Sequence, residues 1–247
     1  MTSYSALSYF YDELNAGCPY GEYADFISAV LGGNKTSPKV LDCGCGTGNI
    51  SLALAKKGYS VTAFDISEDA LSVADKKVRE EGQAVCFVRA DMRAFAVEKD
   101  FDAVISTFDS VNYLLYDREL SGFFNSSHAC LKKGGVLIFD VNTLYRYENV
   151  YADNCYALES ENAFLSWQNL YNGTSKRCKF FLSLFSVKKN GLWERYDEEH
   201  TQKYHSIKKL ESLAKDAGFE ISGIYGDTDF SPLEKTSEKA YFVLRKL

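Results

Sequence analysis

The stretch VLDCGCGTGNI, Val40 to Ile50, places three glycines on alternate residues directly after a short aliphatic run. Residues 39–41 before them predict a buried strand, and residues 50–58 predict a helix that ends at its glycine. The stretch is therefore predicted to be the turn that joins a strand to a helix. At the carboxyl end of a strand in an open α/β sheet, such glycines let the backbone approach a ligand closely.

Three familiar interpretations of this turn fail on spacing. A dinucleotide fingerprint G-x-G-x-x-G that starts at Gly44 or Gly46 needs glycine at position 49 or 51, where the chain has Asn49 and Ser51. A phosphate-binding P-loop needs Gly-Lys followed by Ser or Thr, which the stretch lacks. The two cysteines of the stretch are separated by one residue, not by the two of zinc and redox pairs. We therefore predict no metal site here.

Strands and helices alternate around this turn. Ser67 is predicted to cap one of the helices. Further strands are predicted over residues 60–64, 84–89, 101–107 and 136–141, and helices over 50–58, 68–81 and 123–131. Strands separated by helices of this length form a parallel sheet that is covered on both faces. The sequence therefore predicts a doubly wound, mostly parallel α/β fold.

The pattern changes after Asn142. Between residues 145 and 204, aromatic-rich runs with strand periodicity are separated by the turn signals Asn172-Gly173 and Asn190-Gly191. The runs cover residues 163–171, 179–188 and 192–204. We predict an antiparallel β meander inserted into the parallel fold. A helix over 207–217, two last strands over 220–225 and 239–244, and a mostly helical segment over 3–31 complete the prediction.

Acidic residues stand at the ends of three successive predicted strands. Asp42 precedes the first glycine of the turn, where it could attract a cationic group of a ligand. Asp65 ends the second strand, where a carboxylate can accept hydrogen bonds from both hydroxyls of a ribose. Asp91 follows the third strand and can accept from an adenine amino group, while Met92 packs on the ring. This arrangement is typical of a site for an adenosine-containing ligand.

The glycine turn and the three acids resemble the class I, Rossmann-like methyltransferases that depend on S-adenosylmethionine. The resemblance covers residues 37–141 and includes Phe101 to Ser106 as the fourth-strand motif, with the final antiparallel strand pair agreeing as well. It implies a seven-stranded sheet, S-adenosylmethionine as cofactor and S-adenosylhomocysteine as product. The cofactor-binding residues that it implies are Tyr11, Tyr20, Asp42, Gly44, Cys45, Gly46, Gly48, Asp65, Ile66, Asp91, Met92, Thr107 and Phe108.

The resemblance also implies a domain organisation. Residues 1–36 are expected to form an N-terminal helical lid over the cofactor, because Tyr11-Asp12 and the later Tyr20 and Tyr23 are similar to the aromatic lid of small-molecule methyltransferases. Residues 37–144 and 205–247 are expected to form the cofactor-binding domain, and residues 145–204 the inserted β subdomain. The inserted meander either caps the substrate or forms a homodimer interface, and the sequence leaves both alternatives open.

The methyl acceptor is expected to be a small molecule that is methylated at nitrogen or oxygen by direct in-line displacement. The chain after the fourth strand lacks the Asn/Asp-Pro-Pro-Tyr/Phe element of amide-adenine methyltransferases, which argues against methylation of nucleic-acid bases. Asp109 and His205 are the candidates for a general base. His128 is interpreted as structural and His200 as a surface residue. The candidate substrate residues are Asn112, Tyr113, Trp167, Tyr171, Arg195 and Tyr204.

Composition limits the remaining function classes. The 247 residues are 46% hydrophobic and carry a formal charge of −6 without a long Lys/Arg run, which argues against a DNA-coating protein. No apolar run reaches the roughly 18 residues of a membrane span, and the N-terminus has no signal-peptide pattern, so a cytoplasmic protein without a membrane partner is expected. The open alternatives are a tRNA or protein methyltransferase, a non-catalytic protein that binds S-adenosylmethionine and an NAD-dependent oxidoreductase.

Overall fold

The computed structural model describes residues 6–32, 37–97, 100–188 and 190–247. Eleven strands are present in this part of the chain. They are β1 (Lys39–Cys43), β2 (Ser60–Asp65), β3 (Val85–Arg89), β4 (Phe101–Ser106), β5 (Leu131–Asn142), β6 (Cys155–Glu159), β7 (Ala163–Asn172), β8 (Arg177–Val187), β9 (Trp193–Lys203), β10 (Phe219–Tyr225) and β11 (Lys239–Lys246).

Seven of these strands form the main sheet, in the order β10-β11-β5-β4-β1-β2-β3. Strands β1 to β5 are parallel, whereas β11 runs antiparallel to β5 and β10 antiparallel to β11. This topology confirms the predicted doubly wound fold with a closing antiparallel pair. The strand order reverses beside β1, and the crevice at such a point is where open α/β sheets bind ligands.

Helices cover both faces of the main sheet. They are α1 (Tyr11–Leu14), α2 (Tyr20–Leu31), α3 (Asn49–Lys56), α4 (Glu68–Glu80), α5 (Asp117–Cys130) and α6 (Ile207–Asp216). On one face, α5 and α6 pack Phe123 and Leu210 against Phe139 of β5. On the other, α2 and α3 pack Phe26 and Leu54 against the sheet. Ser67 caps α4 as predicted, because its hydroxyl accepts a hydrogen bond from the Ala70 amide at 3.2 Å.

The N-terminal segment divides into parts that pack differently. Residues 3–5 of the predicted helical segment lie outside the described residues. A 3₁₀ turn at Leu7–Tyr9 and the short helix α1 pack against the second sheet, where Leu14 joins a cluster with Leu165 and Leu184. Helix α2 instead buries Tyr23 and Ile27 against the main sheet. The second part of the expected lid is thus one of the helices that cover the sheet.

The second sheet contains β6 to β9 in sequential, antiparallel order. The predicted meander corresponds to β7, β8 and β9. Strand β6 was not predicted, since it is a short edge strand with mostly exposed or half-exposed residues. At the predicted turn, Asn172 accepts hydrogen bonds from the Thr174 and Ser175 amides, which produces a four-residue connection to β8.

The insertion point of the second sheet is well marked. The chain leaves β5 at Asn142, passes through a single π-helical turn at Arg146–Tyr151, and returns to the main sheet through α6. We propose that the division into residues 1–36, 37–144 with 205–247, and 145–204 describes the domain organisation. In the described residues, no helix combines the length and apolar character needed to cross a membrane.

Candidate active site

A cavity of about 500 Å³ lies at the carboxyl ends of β1, β2 and β4. Its wall is assembled from the glycine turn, the loops after β2, β3 and β4, and the N-terminal segment. Among the residues predicted from the sequence, the lining includes Tyr11, Tyr20, Gly44, Cys45, Gly46, Asp65, Ile66, Asp91, Met92, Thr107, Phe108 and Tyr113. The structure therefore brings together side chains from distant parts of the chain at the crevice that the topology creates.

The glycine turn forms the floor of the cavity. The amides of Gly44 and Cys45 both donate to the Phe64 carbonyl, at 2.8 and 3.0 Å, which fixes the turn beside β2. Gly44 and Gly46 have φ values of +72° and +53°, a conformation that glycine adopts without steric cost. A Cβ at Gly46 would project into open space, so the backbone there is free to be approached by a ligand.

Gly48 has a different role from the one predicted. It does not line the cavity, and its φ is +75° at the start of α3. A Cβ at this position would lie 2.8 Å from the Ala74 Cβ in α4. The third glycine therefore permits close packing of the turn against a helix, and its predicted cofactor contact is not supported by its position.

Asp65 faces the cavity from the end of β2. Its Oδ2 accepts a 2.8 Å hydrogen bond from the Gly46 amide, and its Oδ1 a 2.9 Å bond from the Ser67 amide. Burial raises the pKa of Asp65, while these backbone amides oppose the shift. The adjacent Ile66 exposes an apolar side chain at the cavity. Each carboxylate oxygen keeps a further lone pair for hydroxyl donors.

Asp91 and Met92 line the cavity from the loop after β3. Asp91 accepts a 2.8 Å hydrogen bond from Arg93 Nε, and this hydrogen bond with Arg93 lowers the pKa of Asp91. Asp91 is thus an ionised acceptor at the cavity. Met92 adds a polarisable apolar surface of the kind that packs against flat rings.

The loop after β4 closes the cavity toward the N-terminal helices. The Phe108 ring stacks on Tyr23 with centroids 4.5 Å apart and lies 5.2 Å from the Tyr20 ring. Phe108 and Asp109 both have φ of +54°, which is uncommon for residues with side chains. This backbone turn leaves Phe108 on the cavity wall, while the Asp109 side chain lies outside the lining.

Comparison with known proteins agrees with this geometry. The family model described as a methyltransferase domain matches residues 40–135. The chain is 33% identical over 245 residues to a protein of Bacillus subtilis (strain 168) that is provisionally named methyltransferase YqeM, covering 98% of this chain and 97% of that protein. The crystal structure of a S-adenosylmethionine-dependent methyltransferase from Clostridium acetobutylicum ATCC 824 matches with a TM-score of 0.87 at 26% identity, covering 99% of both chains. The chain belongs to the S-adenosylmethionine-dependent methyltransferases.

Another relative of this methyltransferase has a named acceptor. The dTDP-3-amino-3,4,6-trideoxy-alpha-D-glucopyranose N,N-dimethyltransferase of Streptomyces venezuelae is 30% identical over 119 residues, which cover 48% of each chain. The similarity thus extends over about half of the two sequences.

The cavity of the methyltransferase fits its cofactor, S-adenosylmethionine. Two carboxylates, Asp65 and Asp91, can accept from hydroxyl and amino groups, and Ile66 and Met92 offer apolar surface for a ring between them. The open space above Gly46 accommodates a ligand that lies close to the backbone. The individual contacts of these residues with the cofactor remain predictions.

Asp42 lies behind this site in the methyltransferase. It is 1% exposed, outside the cavity lining, and its Oδ2 accepts a 2.6 Å hydrogen bond from the Ser51 hydroxyl of α3. Burial raises the pKa of Asp42 to about 7. Because successive strand residues point to opposite faces, Asp42 is directed toward α3, and the predicted attraction of a ligand cation is not supported.

The two candidate bases also lie outside the cavity lining. Asp109 Oδ1 pairs with Lys239 Nζ at 2.8 Å, and its Oδ2 accepts from Gln202 Nε2 at 2.6 Å. Burial opposes ionisation of Asp109, but the Lys239 ammonium, the Arg146 guanidinium and the hydrogen bonds from Lys239 and Gln202 together outweigh it and lower the pKa of Asp109. Asp140 shares Lys239 at 2.6 Å. Asp109 therefore belongs to a buried ion cluster, and this position does not support the predicted role of a base that faces the acceptor.

His205 is buried at the start of α6, and only 1% of its surface is exposed. Its Nε2 donates a 2.8 Å hydrogen bond to the Leu114 carbonyl. Burial lowers the pKa of His205 to about 4, so the ring is neutral near pH 7. Its side chain lies outside the cavity lining, so the predicted role of catalytic base is not supported by this position.

Of the six predicted substrate residues, Tyr113 alone lines the cavity. Trp167, Tyr171 and Tyr204 join a hydrophobic cluster around the π-helical turn, because the inward face of the second sheet needs its own core. Asn112 is buried and donates to the Lys203 carbonyl. Arg195 is exposed beside Asp197, 2.9 Å away. The predicted substrate contacts of these five residues in this cavity are therefore not supported.

Strand β9 supplies polar residues that the sequence analysis missed. Glu198, His200 and Gln202 alternate along β9 and therefore share its inward face. His200, which was interpreted as a surface residue, is 2% exposed and contacts the Tyr113 hydroxyl. The signal available in the sequence was this alternation of polar residues within a predicted strand.

Proposed function

We propose that this methyltransferase transfers a methyl group from S-adenosylmethionine to a nitrogen or oxygen atom of a small molecule. The observation that carries the proposal is that separate segments of the chain line one cavity together. Ser8 and Tyr11 from the N-terminal segment and Tyr116 from the start of α5 line the same space as the glycine turn. A volume of about 500 Å³ lies within the range of small-molecule sites, roughly 300–1,000 Å³.

We assign the cofactor contacts as the sequence analysis predicts them. Asp65 accepts from the ribose hydroxyls, and Asp91 accepts from the adenine amino group beside Met92. Gly44 and Gly46 border the methionine part. Tyr11, Tyr20, Thr107 and Phe108 enclose the cofactor from the side of the lid and the loop after β4. These residues carry no covalent chemistry, since they bind, orient and exclude water.

When bound, the cofactor supplies an electrophilic methyl group on a sulfonium. The protein then has to hold an acceptor atom in line with that methyl. An amine is favoured as one class of acceptor because the name of the Streptomyces venezuelae relative assigns it N,N-dimethylation of an amino sugar. A hydroxyl acceptor needs the same alignment together with loss of a proton.

The test is transfer of a labelled methyl group to a defined panel of acceptors. The panel contains dTDP-linked amino sugars, catechols, bulk tRNA and a protein extract, each incubated with methyl-labelled S-adenosylmethionine. We expect label in a small-molecule fraction and none with Asp65→Ala, while the matched control Asp75→Ala, an exposed acid of α4, keeps the activity. Label in tRNA or protein alone would contradict the small-molecule proposal.

A further inference from the structure

Tyr113, His200 and Glu198 form a hydrogen-bonded chain that starts at the cavity. The Tyr113 hydroxyl lies 3.4 Å from His200 Nδ1, and the two rings meet edge to face with centroids 6.0 Å apart. His200 Nε2 lies 3.1 Å from Glu198 Oε2. The other oxygen of Glu198 accepts a hydrogen bond from the Leu7 amide at 3.3 Å, which holds the carboxylate in place.

The directions of these hydrogen bonds follow from their chemistry. An ionised carboxylate only accepts, so His200 Nε2 carries the proton that it donates to Glu198. A neutral imidazole has one donor and one acceptor nitrogen, so Nδ1 is left to accept from the Tyr113 hydroxyl. The carboxylate thereby fixes the tautomer in which His200 can receive a proton from Tyr113.

Burial separates this chain from bulk water. The His200 side chain is 1% exposed and that of Glu198 is 12% exposed. Tyr113, by contrast, lines the cavity beside Phe108 and Ser110. Among these three residues, Tyr113 is therefore the one that a bound molecule in the cavity can touch.

We propose that the Tyr113–His200–Glu198 chain takes up the proton that the methyl acceptor loses, and that the acceptor is a hydroxyl or a protonated amine. The inference rests on the proposed function and deepens it. Tyr113 is the catalytic residue because it faces the acceptor, and His200 and Glu198 are positioning residues that act through it. A halide or a thiolate as methyl acceptor has no proton to lose, so its methylation would not require this chain.

The step balances in atoms and charge. A lone pair of the acceptor atom forms a bond to the methyl carbon as the carbon–sulfur bond breaks, and the electron pair of that bond stays on sulfur. A protonated amine has no lone pair until its proton has left, so for that acceptor the proton moves first. The acceptor proton passes to the Tyr113 oxygen while the Tyr113 proton passes to His200 Nδ1. The imidazolium so formed donates one N–H to Tyr113 and the other to Glu198, where the carboxylate compensates its charge.

Sinefungin tests the inference without a known acceptor. This analogue carries an amine where S-adenosylmethionine carries its methylsulfonium group, whereas S-adenosylhomocysteine has no group there that can donate a proton. We expect Tyr113→Phe to weaken sinefungin binding about tenfold, as the loss of a hydrogen bond to a charged group would. Binding of S-adenosylhomocysteine should stay within about twofold, and the ratio of the two affinities is the measured quantity.

A spectroscopic readout separates this function from a structural role. The chain has three histidines, so ring-nitrogen signals from ¹⁵N-labelled histidine are few. Sinefungin should shift the His200 signals, S-adenosylhomocysteine should not, and the difference should disappear in Tyr113→Phe. Tyr196→Phe removes an exposed hydroxyl that bonds to Glu194 on the same strand and should change neither readout.

The outcomes distinguish the two proposals. If the unmodified protein binds neither ligand, the proposed function fails. If it binds both, and Tyr113→Phe changes neither the affinity ratio nor the His200 signals, the inference fails while the proposed function stands. Binding of S-adenosylhomocysteine by Tyr113→Phe shows that this variant has kept its folded cavity.

Discussion

Asp12 accepts a 2.7 Å hydrogen bond from the Thr47 hydroxyl, which fastens helix α1 to the glycine turn. The same carboxylate accepts from Asn49 Nδ2 at 2.7 Å and pairs with Lys77 at 2.5 Å. Tyr11, the neighbour of Asp12 on α1, lines the cavity. The Asp12 contacts therefore hold one wall of the cavity against its floor.

Removal of the Asp12 contacts should increase the rate at which the ligand dissociates from the cavity. In Asp12→Ala, we expect S-adenosylhomocysteine to dissociate about tenfold faster, because charge-assisted hydrogen bonds to the glycine turn, the start of α3 and helix α4 are lost. Stopped-flow measurement of the dissociation rate checks this. Asp25→Ala removes an exposed ion pair with Lys57 and should leave the rate unchanged. An unchanged rate in Asp12→Ala would show that α1 does not retain the ligand.

The two glycines Gly46 and Gly48 should respond differently to substitution. Gly48→Ala puts a Cβ 2.8 Å from that of Ala74 in a left-handed conformation, so the free energy of unfolding should fall by about 2–3 kcal/mol. Gly46→Ala should cost about 1 kcal/mol from its backbone alone and should mainly weaken S-adenosylhomocysteine binding. Urea denaturation and calorimetry measure the two effects. A larger loss of stability in Gly46→Ala, or a larger loss of binding in Gly48→Ala, would contradict the separate roles of the two glycines.

Asp109→Asn separates a structural role from a catalytic one. We expect the free energy of unfolding to fall by about 2 kcal/mol, because Lys239 stays buried and keeps Asp140 as a charged partner. Asp197→Asn, which breaks the exposed pair with Arg195, should change stability by less than about 1 kcal/mol. Unchanged stability with methyl transfer lost and ligand binding intact would instead restore Asp109 as the base.

His205 should make the protein sensitive to acid. Its pKa is about 4 in the folded state, below the ordinary 6.5, so between these values the unfolded chain binds a proton that the folded protein excludes. Stability should therefore fall as pH falls from about 6.5 to 4, by up to about 3 kcal/mol from this group. His205→Gln keeps a donor for the Leu114 carbonyl, and its stability should decline less over that interval. The denaturation midpoints of the unmodified protein and of His205→Gln are compared over this pH interval. An equal decline in both would contradict the assignment of the acid sensitivity to His205.

Much of the fold could be predicted because its signals are local. The run from Val40 to Ile50 contains its own strand, turn and helix start, and Ser67 caps α4 by itself. The acids Asp65 and Asp91 could be placed because parallel strands end at one edge of the sheet. Strand β6 escaped prediction because a short edge strand has little buried periodicity.

The acceptor end of the site could not be predicted in the same way. Asp109 is neutralised by Lys239, 130 positions later, and held by Gln202, 93 positions later. No local pattern encodes these contacts, since they depend on how β9 and β11 pack against the loop after β4. Asp109 also has a positive φ, which leaves its side chain outside the cavity lining. The residues adjacent to it in the sequence do not predict this conformation.

Every role proposed for the residues of this cavity requires that S-adenosylmethionine bind there beside Asp65. The most direct measurement is calorimetric titration with S-adenosylmethionine, S-adenosylhomocysteine and NAD, on the unmodified protein and on Asp65→Ala. We predict micromolar binding of both adenosyl ligands, lost in Asp65→Ala, and no binding of NAD. Binding of NAD alone, or equal binding of the adenosyl ligands by Asp65→Ala, would contradict the account.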